Sequence, residues 1–195
     1  MSETESVSEG ASRGPDSSGP EETGDAPSLA RFVLKFGLFV GIYFAFASTE
    51  YFETNFFEPY LALNARVCGF VLTLLGHEGV SVVGNAVMSP VYAVTIDRGC
   101  DASAPIALYV SLILAFPIAW MSKVPALAVG VPALVLLNGV RLVTLFLIGA
   151  HYPDLFYVMH TDVWQVVFIL AALGLWAGWL SWITPRMPGP AHGEA

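Results

Sequence analysis

The sequence predicts an all-α integral membrane bundle of about four transmembrane helices, with an interfacial helix and a small outward-facing β-hairpin. Three observations predict it. Of 195 residues, 55% are hydrophobic and only 12% are charged, about half the charge density of a soluble domain. Mean hydropathy is +0.66. Three apolar runs are each long enough for the roughly 20 residues of a membrane-crossing helix. The length allows one small membrane domain, residues 29–185, between an acidic tail, 1–28, and a short C-terminal tail, 186–195.

The N-terminal tail carries most of the charge imbalance. Residues 1–30 hold seven acids and one base, so six of the eight net negative charges lie there. The tail is rich in Ser, Gly and Pro and poor in aliphatics. Too little apolar surface is available to offset ordering entropy, so a disordered cytoplasmic tail is expected. A signal peptide would begin with a basic stretch, and this segment is acidic. No basic patch exists, which argues against nucleic acid as a partner; membrane lipid is the expected surrounding.

The first span is expected at about 31–49, with Lys35 snorkelling to the interface. Residues 59–76, PYLALNARVCGFVLTLLG, are short and carry Arg66 near the middle. They are read as a helix lying in the membrane surface, with a further span as the competing reading. Next comes GVSVVGNAVMSPVYAVTI. The Gly84-Asn85 pair between Val-rich runs predicts a small hairpin that feeds into Cys100, with Tyr92, Val94 and Ile96 on one face. The three clear spans follow: 102–122 and 163–185 without charge, and 124–148 with only Arg141.

With four spans, Arg13, Arg31, Lys35, Lys123 and Arg186 share one side. The positive-inside rule makes that side cytoplasmic, so both termini are expected there. Loops 50–101 and 150–162 then face outward. Cys100 precedes its helix at the outer surface. Arg141 follows Lys123 by 18 residues, a helical rise of about 27 Å, close to the hydrocarbon thickness of about 30 Å. His160 stands two residues before Asp162, where the last helix is expected to begin. The bilayer thus brings a thiol, a guanidinium and an imidazole to one depth.

These three groups suit acyl transfer. A helix start favours thiolate through its unpaired N–H groups, with Asp101 or Ser103 as cap and Pro105 in the first turn. A histidine can accept the thiol proton and return it to a leaving amine. An arginine cannot be the base, but it can stabilise an oxyanion. Asn138, one turn from Arg141, can orient that guanidinium. His151 could replace His160 on chemistry alone. Cys68, inside an apolar run, reads as a buried hydrophobe. One Cys68–Cys100 bridge is possible, but two cysteines make no disulfide framework. The four histidines are scattered singly, without metal-ligand spacing. Two other classes fit the composition: a non-catalytic scaffold subunit, with Arg141 paired to Asp97, Asp101 or Asp162, and a small transporter with Arg141 on a solute path.

DRGCDASAP, followed by LLNGVRLVTLFLIGAHYPDLFYVMHTDVWQ, resembles the exosortase/archaeosortase family, most closely the short exosortase H type. The likeness covers roughly residues 30–183. It implies a multi-pass protein of the bacterial inner membrane, a cysteine protease or transpeptidase with its site toward the periplasm. The implied partners are secreted proteins ending in a short motif, of the IPTL kind for this type, then a membrane helix and a basic cluster. The implied roles are Cys100 as nucleophile, Arg141 as transition-state stabiliser and His160 as general acid/base. Arg98, Asp101 and Asn138 are supporting residues in this reading, and no cofactor is required.

Overall fold

The computed structural model describes residues 26–184; residues 1–25 of the expected acidic tail and the expected C-terminal tail lie outside the described residues, and 26–28 belong to the first helix. The chain is mostly helical. Its elements are α1 (Ala26–Ala47), α2 (Glu50–Phe52), a π-helical turn (Glu53–Phe57), α3 (Glu58–Leu74), strands β1 (Ser81–Val83), β2 (Ala86–Met88) and β3 (Ala93–Thr95), α4 (Ser103–Ala115), α5 (Trp120–His151), α6 (Pro153–Val158), a second π-helical turn (Met159–Val163) and α7 (Trp164–Ile183).

Among the described residues, three helical segments are long and apolar enough to cross a bilayer: Leu29–Ala47, Trp120–His151 and Pro153–Ile183. Four were expected, and the difference lies in the run 102–122. It is not one helix. Pro117 disfavours helical geometry at Phe116, which is extended with φ −64° and ψ 133°, so α4 stops after 13 residues. The chain turns and re-enters a helix at Trp120. Lys123 therefore falls inside α5, where its Nζ donates to Leu114 O at 2.6 Å and caps the end of α4. The 17 residues of α3 are likewise fewer than the roughly 20 of a perpendicular crossing.

Helices α5 and α7 run antiparallel, and two hydrogen bonds mark their overlap. Trp179 Nε1 donates to Ser122 O at 2.8 Å at one end. Arg141 Nη2 donates to His160 O at 3.3 Å at the other. Each interval is 19 residues on its own helix, about 28 Å of rise. That matches one hydrocarbon thickness. Lipid tails are as apolar as leucine, so helices in a bilayer associate through close packing and polar contacts. Gly130 supplies such a contact: a Cβ there would collide with the Tyr109 ring, whose hydroxyl donates to Ala126 O at 3.0 Å.

Beyond Arg141, α5 continues to His151 and carries a cap. Helix α3 runs alongside it: Asn64 meets Asn138, and 13 positions later in each segment His77 meets His151. The expected hairpin is a three-stranded antiparallel sheet in the order β1-β2-β3, with Val83 opposite Ala86 and Met88 opposite Ala93. Gly84, at φ 60°, takes the first turn position, where a glycine-first two-residue turn requires it. The third strand forms because Ser89 closes a second turn with Tyr92, N to O at 2.8 Å. Tyr92, Val94 and Ile96 all pack inward, as the alternation predicts.

Two apolar clusters result. One, in the cap, joins Phe57, Cys68, Leu72, Val87, Ile96 and Phe146, with Cys100 against it. The other, between the long helices, joins Ala102, Tyr109, Leu134, Leu145, Phe168 and Trp179. The segment 97–102 passes from one cluster to the other.

Candidate active site

The segment holding Cys100 is fastened on both sides. At its entry, Ile96 N donates to Asn85 O at 3.0 Å and Asn85 Nδ2 donates back to Ile96 O at 2.9 Å. Gly99 has φ 90°, which a side chain would resist, and Cys100 N donates to Asp97 O at 3.0 Å. Asp101 is 2% exposed. Its Oδ1 accepts from Gly99 N and its Oδ2 from Ser103 N, both at 3.0 Å. Asp101, of the two expected caps, thus closes the turn and satisfies an orphan N–H at the start of α4. Tyr60 Oη donates to Asp101 O at 2.9 Å, tying α3 to the same turn. Ala102 adopts φ 57°, the only positive value outside glycine among the described residues.

Arg141 comes from α5 and is 6% exposed. Its Nη1 donates to Gly99 O at 2.9 Å and its Nη2 to His160 O. The planar fork bridges the carbonyl before the thiol to the carbonyl of the histidine, which a single ammonium cannot do. Its Cζ lies 5.7 Å from the Phe168 ring. Its Nε is buried without a partner among the described residues.

His160 lies within a helix, inside the π-helical turn Met159–Val163, rather than ahead of the last helix as expected. Pro153 at N1 starts the helical stretch earlier, and the π turn inserts a residue where α6 passes into α7, a local register change typical of functional positions. The ring stacks on Phe156 at 5.6 Å between centroids and 10° between planes. Cys100 Sγ lies 3.8 Å from Nδ1 and 3.7 Å from Nε2. Of the three groups predicted to share one depth, the thiol and the imidazole therefore meet, and the guanidinium bonds the backbone beside each.

Burial pushes the Cys100 thiol up, and the Arg141 guanidinium opposes that shift. The expected thiolate at a helix start is outweighed by desolvation, so the resting sulfur holds its proton next to an imidazole that can take it.

Arg98 forms an ion pair with Glu53, donates through Nη1 to Ala47 O at 3.3 Å and sits 4.5 Å over the Phe57 ring. It joins the end of α1 to the cap. Asn138 is fully buried and donates through Nδ2 to Asn64 Oδ1 at 3.3 Å, while its Oδ1 lacks a partner among the described residues. Its hydrogen bond goes to α3 rather than to the guanidinium. His151 is bonded through Nδ1 to Leu147 O at 2.9 Å and lies near His77, away from the thiol. Cys68 and Cys100 are both free. No group of three potential metal ligands occurs among the described residues. Tyr60, Asn64 and Phe156 were not anticipated; the spacing of Phe156 four residues before His160 on a helix was the one available signal.

Residues 28–178 match the sequence profile of the transmembrane exosortases. The chain belongs to the transmembrane exosortase family. No curated protein and no solved structure matches it. The exosortase match runs from α1 well into α7, so Cys100, Arg141 and His160 all fall inside it. With its three long apolar helices, this exosortase is a multi-pass membrane protein.

Proposed function

We propose that this exosortase is a membrane cysteine protease or transpeptidase that cleaves C-terminal sorting signals of secreted proteins, with Cys100, Arg141 and His160 as its reacting and stabilising groups. The observation that carries the reading is the contact of the Cys100 sulfur with the His160 ring, held from both sides by one buried guanidinium. The substrate's membrane helix lies beside the bundle and delivers the preceding motif to the level of Arg141.

The Cys100 thiol gives its proton to His160 as sulfur bonds to the scissile carbonyl carbon. Negative charge on the carbonyl oxygen is stabilised by Arg141, the nearest fixed positive charge. The carbon–nitrogen bond then breaks, and the imidazolium returns the proton to the departing amine. A thioester remains on Cys100. Water, or an amine of an acceptor, attacks it with His160 now taking the nucleophile's proton, and the thiol is restored. Protons and electron pairs balance without a redox partner.

The positive-inside rule supports an orientation with Lys123 toward the cytoplasm and the cap, with Cys100, toward the periplasm. In a bacterial inner membrane that orientation exposes the site to exported substrates. The test is a reporter bearing a sorting signal, expressed with wild-type and variant chains. Cys100→Ala and His160→Ala each abolish processing while the protein stays in the membrane fraction. A scaffold subunit would tolerate Cys100→Ala. A transporter would move solute into vesicles with Arg141 essential and Cys100 dispensable.

A further inference from the structure

We propose that the small apolar cavity beside Cys100 receives the side chain of the residue whose carbonyl the thiol attacks, and that it selects side chains no larger than that of alanine. This rests on the roles assigned to Cys100 and His160 under Proposed function and adds the specificity of that site.

The cavity is bounded by Cys100 and His160 themselves and by Leu142, Leu145, Val94, Ile96 and Phe156. Its volume is about 20 Å³, room for about one water. These walls offer a water almost no hydrogen bonds, so the space suits an alkyl group better than solvent. Larger hollows, of about 400 Å³ between α5 and α7 and about 490 Å³ between α3 and α5, touch neither Cys100 nor His160.

Geometry limits the choices for a bound substrate. When a carbonyl carbon sits at the sulfur, the side chain on the adjacent α-carbon lies only two bonds from that carbon. It enters this cavity or turns away from the protein. The walls resist expansion. Leu142 and Leu145 stand on α5 at 6% and 3% exposure, and Ile96 is 1% exposed. Phe156 is held by its stack on His160. Close-packed interiors accept added methylenes poorly, so leucine and phenylalanine must displace Leu145 or Phe156 and disturb the histidine. Val94, half-buried on the inward face of β3, is the position where a longer side chain narrows the cavity.

The test uses the full chain in phospholipid vesicles and five N-acetyl aminoacyl chloromethyl ketones, of Gly, Ala, Val, Leu and Phe. Sulfur displaces chloride: the S–C bond forms, the C–Cl bond breaks, and the thiol proton leaves through His160 to water. Modification is read at Cys100 by peptide mass spectrometry, each rate divided by that of iodoacetamide. The expected order places Gly and Ala at least tenfold above Leu and Phe. Leu145→Ala brings Leu to within twofold of Ala. Val94→Leu, on the inward face of β3, depresses Ala relative to Gly. Five wild-type rates within twofold of one another, or an order unchanged in both variants, overturn the pocket. Processing of the sorting-signal reporter by Cys100→Ala at the wild-type rate overturns the proposed function instead, whatever the order of the ketones.

Discussion

The Cys100 sulfur and the His160 ring lie 3.7–3.8 Å apart although 60 positions of chain separate them. Neither residue is placed by its neighbours in sequence alone. The thiol sits on a turn closed by Asp101, the imidazole on a π-helical turn, and Arg141 bonds the backbone of both.

The thiol titrates above the ordinary cysteine value, because burial disfavours the charged form more than Arg141 favours it. The rate of Cys100 alkylation by iodoacetamide, followed from pH 6 to 11, therefore rises with a midpoint above that of free cysteine. The neighbouring charges give opposite signs. Arg141→Gln removes a positive charge, raises the midpoint and slows alkylation at neutral pH. Asp101→Asn removes a negative charge and lowers it. A midpoint at or below the free thiol, or shifts of the same sign, contradict this electrostatic account.

Arg141→Lys keeps the charge and loses the fork. One ammonium cannot reach Gly99 O and His160 O in the same geometry. A hydrogen bond from a charged donor contributes about 1.5–3 kcal/mol, so thermal unfolding in detergent should show a loss of that order. Processing should fall at least tenfold, since the sulfur and the ring are no longer held together. Wild-type processing by the lysine variant would mean that charge alone suffices.

Tyr60→Phe deletes the hydroxyl that Asp101 O accepts and leaves the ring. The expected cost is about 0.5–1.5 kcal/mol. Processing should slow by severalfold without a change in the pH midpoint of Cys100 alkylation, because Tyr60 acts on the turn and not on the proton. A displaced midpoint would assign Tyr60 to the chemistry instead.

Much of this was legible in the sequence through a single ruler. Counting helical rise from Lys123 to Arg141 placed the guanidinium near one membrane boundary, and the paired hydrogen bonds at Ser122 and Arg141 show the same interval on α7. The ruler works because each residue of a spanning helix advances the chain by a fixed rise along the helix axis. It says nothing of what the side chain bonds. Asn138 looked suited to orient Arg141, yet its partner is Asn64, a contact decided by where α3 packs. Residues 59–76 have weak periodicity, and nothing local specifies that α3 stands beside α5.

The other differences arise where one local preference outweighed another. Apolarity alone made 102–122 continuous, whereas Pro117 ends α4 and Lys123 caps it from the following helix. A Gly-Asn turn predicted two strands, and the Ser89–Tyr92 turn added a third. The start of the last helix was set by charge at Asp162, but Pro153 begins the helical stretch nine residues earlier. His160 therefore rides on a helix that Phe156 also occupies, which fixes its ring in a way that a loop would not.

The central claim is tested most directly by trapping the covalent intermediate. Wild-type chain and a sorting-signal reporter are mixed in vesicles, quenched in acid within the first turnover, and digested for mass spectrometry. The account predicts the reporter's N-terminal portion joined to the Cys100 peptide through a bond that neutral hydroxylamine cleaves, absent from Cys100→Ala. Cleaved reporter that accumulates with Cys100 unmodified at every time point, and at the same rate with Cys100→Ala, would contradict it.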